Sequence, residues 1–180
     1  PYTDLATGRF LGVEALLRWS HPELGQVGPD RFIPLAEEIG VIDAISDWVL
    51  RPACEQAARW RAEGLGDITL AVNLSPRNFW DPELPGRVAD IIAETGWPAA
   101  QLCLEITEGT IMGQQDPEAS LQRLADLGVR LAVDDFGIGY SSLGSLRRFP
   151  VDILKIDRSF TQGIPENGDN LALVHTIIAL

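Results

Sequence analysis

Residues 129–139 of the sequence read VRLAVDDFGIG and join an apolar run to two aspartates and two glycines. The run 129–133 is rich in valine and leucine without strict alternation, which is typical of a strand buried on both faces of a parallel sheet. A charged side chain at the end of such a strand is costly to bury unless it has partners. The stretch therefore predicts a buried strand that ends in polar groups which act together in one site.

Four further apolar runs resemble this one, and helical patterns separate them. The runs cover residues 13–19, 68–74, 102–107 and 151–156. Asp116-Pro117 supplies a helix start, and residues 42–63 form a helical pattern in which Pro52 should kink the helix or divide it in two. This alternation predicts an α/β fold in one domain, either a doubly wound sheet or a (β/α) barrel.

Polar residues in or at the ends of the runs decide between these two folds. They are Glu14, Asn73, Glu105, Asp134, Asp135 and Lys155. Because they are spread over all the runs, they predict one shared site, which a closed barrel accommodates more easily than an open sheet. A barrel of this kind typically needs about 250 residues, so we expect residues 1–180 to be a partial domain that lacks roughly two βα units at its C-terminal end.

The chemistry of these side chains indicates a cation site. Four carboxylates and an amide oxygen, without a histidine or cysteine cluster, are a ligand set for a hard divalent cation such as Mg²⁺ or Mn²⁺. Glycines after Asp135 let the backbone turn, so that Asp134 can bridge two cations while Asp135 binds the second. Two cations clamp the attacking and leaving oxygens of a phosphoryl displacement, which predicts hydrolysis of a phosphate ester.

Each residue also has a plainer interpretation. Glu14 can pair with Arg18, Asn73 can form a turn, and Glu105 and Glu108 can be a pair at a helix start. For Lys155, a Schiff-base role is disfavoured, because nearby carboxylates would hold the side chain as an ammonium ion. Positioning of a hydroxide, or stabilisation of charge near a phosphate, suits it better.

Composition excludes several classes of function. A net charge of −12 argues against binding of a nucleic-acid polymer, which needs clustered cations. No apolar run reaches the roughly 18 residues of a membrane-spanning helix. Cys54 and Cys103 both lie in apolar stretches and are expected to be reduced, buried thiols. We therefore expect a cytoplasmic domain, although the parent protein can still be membrane-anchored.

Taken together, the motifs resemble the EAL domain family of cyclic di-GMP phosphodiesterases. The matching stretches are EALLRW (14–19), FIPLAE (32–37), VNLS (72–75), LEITE (104–108), DDFG (134–137) with GYSSL (139–143), and LKIDRSF (154–160). They follow the family's order across essentially the whole chain.

The resemblance implies a modified (β/α)8 barrel whose first strand is antiparallel and which hydrolyses cyclic di-GMP to linear pGpG with two Mg²⁺ or Mn²⁺ ions. By motif, the implied metal ligands are Glu14, Asn73, Glu105 and Asp134, with Asp135 on the second metal. Lys155 would orient the nucleophilic water, Arg18 would hold a substrate phosphate, and Leu16 would pack near the ligand. The loop 135–143 would couple metal occupancy to a homodimer interface beside the following helix.

Two departures from the family pattern leave alternatives open. Ile138 stands where the family most often has threonine, and the family's later glutamate and glutamine fall beyond Leu180. One alternative is therefore a catalytically inactive EAL module that acts as a cyclic di-GMP receptor or a protein-interaction domain. Another is a different metal-dependent barrel enzyme, such as an enolase-type catalyst. Sensory or diguanylate cyclase-like domains are expected in the parent chain.

Overall fold

The computed structural model describes residues 1–111, 117–138, 146–164 and 168–179. Its main sheet contains the strands Tyr2–Thr3 (β1), Phe10–Ala15 (β2), Thr69–Asn73 (β5), Leu102–Thr107 (β6), Arg130–Phe136 (β7) and Ile153–Ile156 (β8). The strands lie in the order β1-β2-β5-β6-β7-β8. A separate hairpin consists of Trp19–His21 (β3) and Gly25–Val27 (β4).

Helices connect the parallel strands. They are Pro29–Glu38 (α1), Ile42–Ala62 (α2), Pro76–Trp80 (α3), Leu84–Thr95 (α4), Glu108–Ile111 (α5), Glu118–Asp126 (α6), Arg158–Thr161 (α7) and Gly168–Ile178 (α8). In the part of the chain that the structure describes, no helix combines the length and apolarity needed to cross a bilayer.

The sheet curls into a half-barrel. Strand β1 is antiparallel to β2, and the remaining neighbours are parallel, so the predicted α/β barrel-type fold with an antiparallel first strand is confirmed. The outer face of the sheet packs under the helices through large buried side chains, among them Leu70, Val72, Leu104, Leu131 and Val133. The inner face carries small ones, Ala71, Cys103 and Ala132, next to Ile153.

One local prediction was wrong. The run 13–19 is not one strand, because β2 ends at Ala15 and Trp19 begins the β3 hairpin, where its ring packs edge-on against Phe32 of α1. Of the two effects predicted for Pro52, division of the helix does not occur, since α2 is one helix. The helix buries side chains on both sides of the proline, and this packing outweighs one missing hydrogen bond.

Helix α6 begins at Glu118, so Pro117 is its N-cap residue and the helix starts one residue later than the start signal predicts. The other half of that signal, Asp116, lies outside the described residues.

Gly12 of β2 is expected to be intolerant of any side chain. A Cβ there would meet the carbonyl oxygen of Thr69 and the hydroxyl end of Tyr2, whose ring lies against this position. Gly12→Ala should therefore lower the free energy of unfolding by about 1–3 kcal/mol through overpacking, measured by denaturant unfolding.

Gly86 in α4 provides the matched control, because a Cβ there meets nothing within 4 Å. Gly86→Ala should be neutral or should stabilise the helix by up to about 1 kcal/mol. Equal effects of the two substitutions would contradict the close approach at Gly12.

Candidate functional site

The strand register brings three predicted site residues to one edge of the sheet. Asn73 lies directly opposite Glu105, and Glu14 lies opposite Ala71, two residues before Asn73. Because side chains alternate between the faces of a strand, residues two apart share a face. Glu14, Asn73 and Glu105 therefore project from the same face, at the carboxyl ends of β2, β5 and β6.

The same register extends across the next two strands. Glu105 lies opposite Ala132, which is two residues before Asp134, and Ala132 lies opposite Ile153, which is two residues before Lys155. All five strands from β2 to β8 in this sheet thus supply one polar group to a common inner surface. The sequence predicts one shared site from a polar residue in or at the end of each run, whereas the common face follows from the register of the strands.

Direct contacts join these groups into one cluster. The Lys155 ammonium donates to Glu105 Oε2 at 2.6 Å and to Asp134 Oδ2 at 2.9 Å, and it lies 3.8 Å from Glu14 Oε2. The Asn73 amide Nδ2 donates to Glu14 Oε1 at 2.6 Å. One carboxylate oxygen from each of the three acids lies within 4.8 Å of the others.

Burial sets the protonation of this cluster. Glu105 is 3 % exposed, and burial raises its pKa to about 7, while its hydrogen bond to Lys155 opposes the rise. For Lys155, burial alone would lower the pKa, but the hydrogen bonds to Glu105 and Asp134 outweigh it and raise the pKa above its ordinary value. Lys155 therefore stays protonated as an ammonium ion. In the Glu105–Lys155 pair, Glu105 is the group whose pKa lies near neutrality.

The cluster fits a hard divalent cation. Its donors are carboxylate oxygens with an amide side chain beside them, the ligand types that Mg²⁺ and Mn²⁺ prefer. When Glu105 is ionised, three carboxylates face a single ammonium, and the excess negative charge favours a cation. Glu14, Glu105 and Asp134, with Asn73, are the residues that could hold it.

Asp135 occupies a strained position beside the cluster. Its φ of 55° lies in the left-handed region, which is uncommon for residues other than glycine. Its backbone N–H donates to Asp134 Oδ1 at 2.9 Å. Partial burial, and then the charges of Asp134 and Asp157, raise the pKa of its carboxyl group. This irregularity lies within β7, where the register with β8 shifts between Val133 and Phe136, and the exposed side chain of Asp135 lies outside the three-carboxylate group.

Arg18 and Leu16 lie next to the cluster rather than in it. Both line a pocket of about 280 Å³, which Asn73 and Ser75 also line. The Arg18 guanidinium donates to the carbonyl oxygen of Leu17 at 2.9 Å. Asn73 is shared by the carboxylate cluster and this pocket, so a molecule in the pocket would lie beside the acids.

Two acids near the site were not assigned a role from the sequence. Glu108 does begin helix α5, yet it is 4 % exposed and its Oε2 accepts the Gly137 N–H at 2.8 Å, which ties down the chain after β7. Asp157 is the N-cap residue of α7, and its side chain accepts the backbone N–H of Ser159. Its negative charge contributes to the raised pKa of Asp135. Their positions in the motifs could have indicated a role in the site, because Glu108 lies three residues after Glu105 and Asp157 lies two residues after Lys155.

A composition signal at Lys155 was also overlooked. The chain has 14 basic residues, of which Lys155 is the only lysine. An ammonium is a compact charge with rotatable donors, whereas guanidinium is a planar fork. A position that must reach three acids at once favours lysine, and this explains its use here among so many arginines.

Fold and site together define a class of protein, a (β/α)-barrel domain with an acidic cluster that could hold a cation at the carboxyl ends of its strands. The EAL domain model matches residues 1–180, so the chain belongs to the EAL domain family. This confirms the family resemblance of the motifs.

Relatives and solved structures agree with this assignment. The cyclic di-GMP phosphodiesterase NbdA of Pseudomonas aeruginosa is 44% identical over 181 residues, which cover 100% of this chain and 23% of that protein. The bifunctional diguanylate cyclase/cyclic di-GMP phosphodiesterase MucR of the same organism is 43% identical over 176 residues, covering 96% of this chain and 25% of MucR. The chain thus spans about a quarter of the length of these relatives.

Among solved structures, the Pseudomonas aeruginosa MucR phosphodiesterase in complex with cyclic di-GMP superposes with a TM-score of 0.88 at 42% identity, covering 96% of this chain and 70% of that one. The FimX EAL domain of Pseudomonas aeruginosa bound to cyclic di-GMP superposes with a TM-score of 0.81 at 26% identity, covering 92% of this chain and 66% of that one.

Proposed function

We propose that this domain hydrolyses cyclic di-GMP to linear pGpG with two Mg²⁺ or Mn²⁺ ions. The observation that carries the proposal is the convergence of Glu14, Glu105 and Asp134 within 4.8 Å beside a pocket that Arg18 lines. Relatives named as cyclic di-GMP phosphodiesterases support the choice of substrate. The identity of the ions and the linear product are part of the proposal.

The proposed ligands are Glu14, Asn73, Glu105 and Asp134, with Asp135 serving a second ion. Bound ions would acidify a water molecule and offset the charge of the phosphate. Lys155, as a permanent ammonium, can orient the oxygen of the attacking water by hydrogen bonding. Once the Arg18 guanidinium no longer donates to the Leu17 carbonyl, its N–H groups can donate to a non-bridging phosphate oxygen. Leu16 offers an apolar contact to a base.

The reaction adds one water to one phosphodiester bond. The water oxygen forms a bond to phosphorus, and the bond from phosphorus to the ribose 3′ oxygen breaks. One proton of the water ends on the departing 3′ hydroxyl and the other is released. Opening one of the two diesters leaves a linear dinucleotide with a terminal phosphate.

The direct test is to incubate the full-length protein with cyclic di-GMP and Mg²⁺ or Mn²⁺, and to separate the products by chromatography. Formation of pGpG that stops on addition of EDTA is the expected result. Binding of cyclic di-GMP in the presence of Ca²⁺, together with no release of pGpG in Mg²⁺ or Mn²⁺, would instead favour a receptor. Indifference to the dinucleotide would overturn both and favour an enzyme of another class.

Cation binding should release a proton in a pH-dependent manner. Because the pKa of Glu105 is raised to about 7, this carboxyl group holds a proton below pH 7 and must lose it to bind a cation. Affinity for Mn²⁺ should therefore rise as the pH increases toward 7 and level off above it.

Calorimetric titration in buffers of different ionisation enthalpy would measure this release. About one proton per site is expected at pH 6 and almost none at pH 8.5. Glu38→Gln, at an exposed position on α1, should leave the release unchanged. A constant Mn²⁺ affinity across this range would contradict the protonation of Glu105.

Partners and location complete the proposal. We expect a homodimer through residues 135–143 and the helix after them, of which residues 139–143 lie outside the described part of the chain. The relatives extend well beyond this domain, and we expect sensory or cyclase-like domains in the parent protein. Buried thiols at Cys54 and Cys103 suit the reducing cytoplasm.

A further inference from the structure

A buried polar cluster lies behind the end of β5, where α1, α2 and α3 meet. We call it the Asn78 cluster, and its members are Glu37, Asp43, Ser46, Ser75 and Asn78. Asn78 is 0 % exposed, the most buried polar side chain among the described residues. Buried amides are costly unless every group is paired, so its contacts are decisive for this region.

Both polar atoms of the Asn78 side chain have partners. Its Oδ1 accepts the backbone N–H of Ser75 at 2.9 Å and lies 2.9 Å from the hydroxyl of Ser46. Its Nδ2 donates to Asp43 Oδ1 at 2.7 Å. Asn78 thus fixes the turn at Ser75 to helix α2, and each of its polar atoms has a definite partner.

The turn that Asn78 holds, at Ser75, follows Asn73 by two residues. Strand β5 ends at Asn73, and the next residue, Leu74, donates its N–H to the carbonyl of Glu105 at 3.1 Å. Ser75 follows, and its hydroxyl donates to Glu37 Oε1 at 2.5 Å. The backbone of Asn73 is therefore held by the sheet on one side and by the Asn78 cluster on the other.

We propose that Asn78 is a positioning residue that sets the Asn73 side chain for cation binding. The proposal deepens the proposed function, since it takes Asn73 as a cation ligand. The structural alternative is that Asn78 only caps helix α3, in which case its loss would lower stability without changing the site. The two differ in what happens to cation affinity.

The decisive variant is Asn78→Asp, which preserves the shape and the acceptor oxygen toward Ser75 and Ser46 but removes the donor toward Asp43. Two carboxylates would then face each other, and the turn should shift. Affinity for Mn²⁺, measured by calorimetry without substrate, should fall about 10- to 100-fold, as when other supporting groups of metal sites are lost. In an Asn73→Ala background, the same change should cause no further loss, because it acts through Asn73.

Reversal of the hydrogen bond provides the rescue. In the double variant Asn78→Asp with Asp43→Asn, the new amide donates to the new carboxylate, and most of the Mn²⁺ affinity should return. If Asn78→Asp fails to fold, Ser46→Ala removes a weaker partner and should lower Mn²⁺ affinity in the same direction. Wild-type affinity in either folded single variant, or no return in the double variant, would overturn the proposal.

Thr95→Val is the matched control for loss of stability alone. In the wild-type protein, the Thr95 hydroxyl donates a hydrogen bond to the Ile91 carbonyl oxygen at 2.7 Å. This bond lies at the C-terminal end of α4, near the opposite edge of the sheet. The substitution should lower the melting temperature but leave Mn²⁺ affinity unchanged. A wild-type protein that binds no Mn²⁺ would also overturn the proposal, whereas Mn²⁺ binding without cyclic di-GMP hydrolysis would overturn only the proposed function.

Discussion

Glu14→Ala is expected to reduce hydrolysis of cyclic di-GMP by the full-length protein about 100- to 1000-fold, because a lost cation ligand removes several kcal/mol of transition-state stabilisation. Glu14 accepts from Asn73 at 2.6 Å and belongs to the three-carboxylate group, so its loss opens the cation site on one side. Initial rates at saturating Mg²⁺ would measure the effect.

Stability should change little in this variant. The distance between Glu14 and Lys155 is 3.8 Å, longer than the two hydrogen bonds that Lys155 retains. Glu38→Ala, which removes an exposed carboxylate from α1, is the control and should keep full activity. Retained activity of Glu14→Ala in a folded protein would remove Glu14 from the set of ligands.

Lys155→Met should have the largest combined effect on activity and stability. Without the ammonium, Glu105 and Asp134 lose their hydrogen-bond donor and repel each other in a largely buried setting. We expect the cation-free protein to lose about 2–3 kcal/mol of unfolding free energy, less than for a fully buried pair because Lys155 is partly exposed. Hydrolysis should fall about 100-fold or more if Lys155 orients the water.

Added Mg²⁺ should recover much of the lost stability, because cations that bind only the folded state stabilise it. Thermal unfolding in EDTA and in excess Mg²⁺ would show this. Arg51→Met, which breaks an exposed ion pair with Glu94, is the control and should cost less than about 1 kcal/mol in either condition. Equal melting temperatures of wild type and Lys155→Met in EDTA would show that Lys155 does not neutralise the acids.

Most of the site could be predicted because its residues contrast with their surroundings. Glu105 and Lys155 interrupt apolar runs, where a charge without a partner would be costly. Glu108 and Asn78 were not predicted as important, since each has an ordinary local role at a helix start. Their contacts with Gly137 and Asp43 join segments far apart in the chain, and no local pattern reports such contacts.

Strand ends were predicted less well than strand interiors. The apolar run that includes Trp19 continues past Ala15 without a break, yet the chain leaves the sheet there to form a hairpin. The pairing of Trp19 with Val27 and its packing on Phe32 decide that departure. Both contacts involve residues outside the run 13–19, and they outweigh local β-propensity.

The sequence by itself determined the donor chemistry of the site. Each donor stands in or at the end of an apolar run, where a charged or polar side chain is costly unless it has partners. Tertiary structure alone decided the register that places the donors on one face, the distances between the acids, the raised pKa of Glu105 and the hydrogen bond between Asn78 and Ser75. These depend on burial and on contacts between helices and strands distant in the chain, because solvent exclusion and charge interaction are properties of the folded arrangement.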